Sequence, residues 1–206
     1  MLDDNLRTLR QWAELAPPQS IDTATTALLC IDFQLEYFAG KLPAPHGPQA
    51  STNASMLVDW ADARSMPVAH IGYEDRSPGA VLFVPGSGMT DFHPAVLPKP
   101  HHKVFMKGLP SSFAETGLGE WLRERGIQTV IVTGLQTHSC ISSSVRDASH
   151  QGFKIIIASD ACASRNLPAY DGSGVVPHIA MHRTTLTALA DRYADVFTTD
   201  EIMGMG

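Results

Sequence analysis

Apolar and polar positions along this chain follow two different periods, and the switch between them outlines the elements. The run Thr26-Ala27-Leu28-Leu29-Cys30-Ile31 is continuous in apolar character, as is the β-branched run ending at Val132. Runs of this length without polar alternation indicate strands buried on both faces, as in a parallel sheet. They predict strands over 26–31, 67–72, 103–107, 128–133, 154–159 and 195–198. Between them apolar residues recur at helical spacing, as Ile141, Val145 and Ala148 do, and predict helices over 50–64, 112–125, 140–151 and 177–192. Strands alternating with helices give an α/β fold, a parallel sheet joined by right-handed crossovers.

Two irregular stretches, 73–100 and 162–174, follow strand carboxyl ends and are expected to wall a pocket, because long loops in compact domains are usually functional. At the N-terminus, Leu2, Leu6, Leu9 and Ala13 share a helical face, so residues 1–20 read as a helical arm and 21–206 as the domain proper. The arm is expected to pack on its own domain or to reach a neighbouring subunit.

Composition narrows the class. At 206 residues the chain can bury a full core as one domain, and a 44% hydrophobic content describes a globular protein. A formal charge of -6 offers no basic surface, which argues against nucleic acid as a partner. No stretch approaches the length of a membrane span, and the acidic start Met1-Leu2-Asp3-Asp4 lacks a signal peptide's apolar core. Three cysteines make an incomplete disulfide set, so a reducing, cytoplasmic location is expected.

Candidate chemistry gathers at strand ends. Cys140 follows the turn Thr133-Gly134-Leu135-Gln136 at a strand-to-helix junction, where free backbone N–H groups favour an anion and would lower a thiol's pKa. Cys30 and Cys162 read instead as small buried hydrophobes. Asp32 closes the first strand and Lys107 the third, and ligands of open parallel sheets bind beyond the carboxyl ends of the strands. A base, a cation and a thiol would share one edge.

The ordered set Asp32-Phe33-Gln34, Lys107 followed by Ser111-Ser112-Phe113, Thr133-Gly134 leading to Thr137, Cys140 and Asp147-Ala148, and Asp160-Ala161-Cys162-Ala163-Ser164-Arg165 resembles the isochorismatase-like cysteine hydrolases over nearly the whole chain. The resemblance implies a three-layer α/β/α fold with a six-stranded parallel sheet and a catalytic triad of Asp32, Lys107 and Cys140. It further implies an oxyanion hole from the backbone N–H groups of Gln136 and Cys140, a cis peptide at Leu135–Gln136, a small-molecule substrate and self-association into a homo-oligomer. Family members that cleave a vinyl ether carry an aromatic and an Arg after the Lys and lack the cysteine. Here Gly108, Leu109 and Pro110 follow Lys107, and Cys140 is present, which favours amide or ureide hydrolysis through a thioester.

Phe33, Phe38, Tyr73 and Phe113 are candidates for an apolar substrate lining, each with a plain alternative as core filler. No metal and no cofactor are expected: the stretch from Gly72 to Pro78 has no histidine where metal-binding relatives carry Asp-x-His. Asp91-Phe92-His93 copies that motif but lies too late in the chain, and His101-His102 on an extended segment would point to opposite faces. The competing readings are vinyl ether cleavage by Asp32 acting as an acid, a redox thiol protein, and a catalytically idle scaffold.

Overall fold

The structure, a computed structural model, describes residues 6–206. Six strands form one fully parallel sheet: β1 (Thr26–Ile31), β2 (Val68–Tyr73), β3 (Lys103–Lys107), β4 (Thr129–Leu135), β5 (Lys154–Ala163) and β8 (Asp195–Phe197), in the spatial order β3-β2-β1-β4-β5-β8. The order reverses between β1 and β4, so the crevice beyond their carboxyl ends is the topological switch point at which open α/β sheets bind ligands. A two-stranded antiparallel hairpin pairs β6 (Leu167–Pro168), within the second irregular stretch, with β7 (Val175–Val176), just past its end.

Alternation along the buried strands sorts side chains into two layers. Leu28 and Cys30 face α2 (Gly47–Asp62) and α6 (Thr199–Gly204), together with Ala54, Leu57, Ala61 and Ile202. Ala27, Leu29 and Ile31 face the opposite layer, built from α3 (Leu118–Glu124), α4 (Ser142–His150) and α5 (His178–Arg192), with Leu122, Val145 and Leu189. Each fully buried Leu or Ile contributes roughly 1.5–3 kcal/mol. The expected α/β/α sandwich is therefore present.

Several boundaries differ from the sequence reading for identifiable reasons. α2 begins three residues early because Pro48 fits the first turn of a helix. The helix expected from 112 starts only at Leu118, since Ser111 and Ser112 are bound to α4, and Gly117 adopts a left-handed conformation with φ of 75°. α6 was not anticipated, although Thr198 and Glu201 form a capping box at its start. Among the described residues of the arm α1 (Leu9–Trp12) is the one α-helix, and Leu6, Leu9 and Trp12 are exposed. Arg10 ties the arm to β8 through Asp195 at 2.6 Å. Leu2 lies outside the described residues. No helix among the described residues is long and apolar enough to cross a membrane.

His101 and His102 correct a second expectation. The chain turns at this point, with the His102 N–H donating to the Lys99 carbonyl at 2.9 Å, and both Nε2 atoms come within 3.0 Å of Asp62 Oδ1. Lys99 Nζ sits 2.6 Å from Asp62 Oδ2, and the Lys99 N–H donates to His102 Nδ1 at 3.1 Å. That donor leaves the His102 proton on Nε2, facing Asp62, so the cluster is satisfied by protons and an ammonium rather than arranged to bind a cation.

Burial works to raise the Asp62 carboxyl, but hydrogen bonds from Lys99, His101 and His102 outweigh it and hold the group well below the usual carboxylate range. A depressed folded pKa contributes stability that is present above the unfolded value near 3.8 and is lost as pH falls below it. Asp62→Asn is expected to destabilise the fold by about 1.5–3 kcal/mol at pH 7. The gap to wild type in thermal melts should narrow as pH falls below about 4; a gap of constant size down to pH 3 would contradict the assignment.

Candidate active site

Three strand ends place the candidate groups. Asp32 leaves β1 with φ of 54°, its N–H bonded to the Ile71 carbonyl at 2.8 Å, which turns the chain sharply at the sheet edge. Lys107 ends β3. β4 runs on to Leu135 and opens at Gln136 into a π-helical turn, Thr137–Ile141, that carries Cys140 and leads into α4. Gly134 makes this approach possible: its φ is 137°, and a Cβ there would overlap the Ile31 carbonyl. The Leu135–Gln136 peptide is cis, as the resemblance implies.

Lys107 Nζ lies 2.9 Å from Asp32 Oδ2, and neither side chain has solvent exposure. The ammonium also donates to the carbonyls of Leu109 at 3.2 Å and Pro110 at 3.1 Å. The positions that separate Lys107 from Ser111 are thus a backbone cage for the cation. The ammonium meets Asp32 as a buried ion pair. Neither carboxylate oxygen has an aligned donor among the described residues. Tyr73 closes one side, its ring centroid 4.9 Å from Lys107 Nζ, a cation–π arrangement.

Burial sets the protonation states. Desolvation raises the Asp32 carboxyl, opposed by the Lys107 charge and by the Cys140 thiol. Burial alone would lower Lys107, but Asp32 outweighs it and the net shift is upward, so the amine stays charged. Cys140 is buried, and burial together with the Asp32 charge pushes its thiol up to about 12 despite Lys107. This corrects the expectation of a depressed thiol at a helix N-terminus: a desolvated sulfur beside a carboxylate feels those two effects more strongly than the turn's amides. The resting Cys140 side chain is a thiol beside the Asp32 carboxyl.

The remaining named residues have distinct surroundings. Phe33 lies in the core layer of α2, and Phe113 in the layer that also holds Cys140, with its ring 5.9 Å from that of Phe153. Phe38 is half-buried and stacks on His93 at 3.9 Å. His93 accepts the Ala95 N–H, so the late Asp-x-His copy caps a turn, and its own N–H donates to the Phe33 carbonyl at 2.7 Å.

Four contributors escaped the sequence reading. Gln34 clamps the ends of β1 and β2, accepting the Tyr73 N–H at 2.8 Å and donating to the carbonyls of Tyr73 and Thr90. Ser144 accepts the Ser112 N–H at 2.9 Å while its hydroxyl lies 2.6 Å from the Cys140 carbonyl, tying the segment after Lys107 to the Cys140 turn. Tyr37 is buried next to Cys140 and Asp32, and burial followed by the Cys140 charge holds its phenol far above the ordinary range. Arg165 lies just beyond β5. Only Gln34 and Arg165 fell within a quoted motif, and nothing local marked Tyr37 or Ser144.

A family model described as isochorismatase domain matches residues 26–201. The chain belongs to the isochorismatase family. A secreted isochorismatase effector of Verticillium dahliae is 30% identical over 186 residues, covering 90% of this chain and 94% of that protein. A nicotinamidase of Escherichia coli is 28% identical over 203 residues, covering 80% and 95%. Among solved structures, an isochorismatase from Pseudomonas putida KT2440 superposes with a TM-score of 0.86 at 30% identity, covering 95% of this chain and 98% of that one. Family members are hydrolases, and some are amidases.

Removing one member of a buried ion pair strands the other charge, at a cost of about 3–5 kcal/mol. Lys107→Met should therefore destabilise by that amount in denaturant melts at pH 7. Adding Asp32→Asn should restore most of the loss. Additive losses in the double variant would show that the two groups do not share one electrostatic site.

Proposed function

We propose that this chain hydrolyses the carbon–nitrogen bond of a small amide or ureide, with Cys140 as nucleophile and a thioester acyl-enzyme as intermediate. The observation that carries the reading is a buried thiol beside a carboxylate, Asp32, whose charge is balanced by Lys107 at 2.9 Å. Acid cleavage of an ether requires no such thiol. Relatives named for amide hydrolysis, including the nicotinamidase, support the same reaction class.

The steps follow from what each group can exchange. As Cys140 Sγ attacks the carbonyl carbon, Asp32 takes the thiol proton, so sulfur need never exist as a free thiolate. The carbonyl oxygen gains the electron pair and is held by the backbone N–H groups of Gln136 and Cys140. Collapse of the adduct breaks the carbon–nitrogen bond, and Asp32 returns its proton to the departing nitrogen as ammonia or a small amine. Asp32 next takes a proton from water, whose oxygen adds to the thioester. The acid product leaves, and the proton goes back to Cys140 Sγ. Lys107 remains protonated throughout and offsets the charge of Asp32 whenever it is ionised. Tyr73 and Phe38, both half-buried, are the proposed apolar contacts of the substrate. A working thiol needs reducing surroundings, so the proposal places the protein in the cytoplasm.

The test is ammonia release from a panel of small amides and ureides. Wild type should turn over at least one of them, and Cys140→Ser and Asp32→Asn should each lose about a thousandfold or more in kcat. Asp32→Asn should also fail to accumulate an acyl-enzyme by mass spectrometry. Turnover undiminished in Cys140→Ser would overturn the assigned nucleophile.

A further inference from the structure

Glu36 is a buried carboxylate that the proposed reaction does not use. It lies in the turn Leu35–Tyr37, just past Asp32, and is 3% exposed. Its oxygens accept two backbone N–H groups: Oε1 takes that of Lys41 at 2.6 Å and Oε2 that of Phe83 at 3.2 Å. The Lys41 ammonium turns elsewhere, to the Val81 carbonyl at 3.0 Å. Gly40 lets the chain close over the carboxylate, since a Cβ there would overlap the Glu36 Cα and Oε1. Donors of this kind let a carboxylate persist out of water, and hydrogen bonds to a charged acceptor are the stronger sort.

The carboxylate holds the first half of the long loop after β2. Among the described residues, hydrogen bonds tie 76–88 to the molecule outside that loop at two points, Phe83 on Glu36 and Val81 on Lys41. The Lys41 tie is exposed and the Glu36 tie is buried. Val81 is 67% exposed, whereas Phe83, two residues on, is 4% exposed. Phe83 has φ of 49°, a left-handed conformation that a bulky residue keeps only where its surroundings impose it. Its carbonyl accepts the Asp75 N–H at 3.1 Å, which closes the loop on itself.

The inward ring reaches the wall of the site. Phe83 meets Tyr37 edge-on with ring centroids 5.0 Å apart, and Tyr73 in the same manner at 5.2 Å. Tyr73 in turn lies 4.9 Å from Lys107 Nζ. Phe83 thus braces the ring that closes one side of the triad. The triad is correspondingly shut: Cys140 is 5% exposed, and the side chains of Asp32 and Lys107 have no exposure.

We propose that Glu36 is a positioning residue that sets the size of substrate the site accepts. By pinning Phe83 against Tyr37 and Tyr73 it keeps the wall beside Lys107 closed, so that what reaches Cys140 is a compact amide or ureide without a bulky substituent. The inference deepens the amidase reading and rests on it for the substrate, but the closure itself can be tested without turnover. Glutamine at position 36 would keep the shape of the side chain yet set an amide N–H against one of the two backbone donors, so that one tie is lost.

Iodoacetamide and iodoacetanilide carry the same alkylating group and differ by a phenyl ring. Their rates at Cys140, read by peptide mass spectrometry and divided by their rates with free glutathione, give a size ratio. In wild type the smaller probe should react at least tenfold faster. Glu36→Gln and Phe83→Ala should each cut that ratio at least fivefold, chiefly by admitting the larger probe, and combining them should add little, because both open the same wall. Hydrogen exchange over 80–84 should quicken at least tenfold in Glu36→Gln. Where Glu36→Gln also exposes Cys30 and Cys162, core cysteines that report the fold, the ratio in Phe83→Ala decides. A ratio near one in wild type, a ratio unchanged in either folded variant, or exchange unchanged in Glu36→Gln overturns the latch. Wild type that discriminates between the probes yet releases ammonia from no amide supports the latch and counts against the amidase reading.

Discussion

The pairing of Asp32 with Lys107 inside the protein is the constraint around which the rest of the site is arranged. Taking a carboxylate and an ammonium out of water costs several kcal/mol each, and their attraction offsets this only when the geometry is close and the remaining donors are satisfied. At 2.9 Å, with the ammonium caged by the Leu109 and Pro110 carbonyls, the pair meets both conditions from the lysine's side. On the aspartate's side the further neighbour is the Cys140 thiol, the proton donor of the proposed reaction.

Several features of the fold serve that contact. The reversal of strand order between β1 and β4 opens the crevice, and Gly134 lets the β4 turn reach the end of β1 without a Cβ in the way. Gln34 and Ser144 fasten the neighbouring segments from either side, so the acid, the cation and the sulfur are each held by hydrogen bonds outside the triad. Rigid support of this kind keeps reacting atoms in register, where small misplacements cost large factors in rate. The burial that stabilises the pair also suppresses the thiolate, so the proposed reaction takes the thiol proton during attack rather than starting from a permanently ionised sulfur.

Much of this was legible in the chain because burial on both faces leaves a plain mark. Ala27 to Ile31 and Val130 to Val132 could hardly be anything but central strands, and Asp32, Lys107 and Cys140 follow from reading what stands at strand ends. The thiol's protonation was misjudged because a local rule, amides at a helix start, was applied without the tertiary burial that overrides it. His101 and His102 were misread because the turn at Lys99 is fixed by contacts with Asp62, far away in sequence. The start of α3 was missed for a related reason: Ser111 and Ser112 bond to α4 instead of continuing a helix. The capping box of Thr198 and Glu201 was visible and would have revealed α6. Tyr37 and Ser144 carry no local signature at all, since their importance lies only in what the fold brings beside them.

The state of the Cys140 sulfur tests the account most directly, and it can be read from thiolate absorbance near 240 nm as the difference between wild type and Cys140→Ser across a pH titration. The account predicts no thiolate signal from Cys140 at pH 7 to 8, and its appearance only as pH approaches about 12. A full thiolate signal at neutral pH would contradict it, because the sulfur would then be ionised before any substrate arrives and Asp32 would have no proton to take.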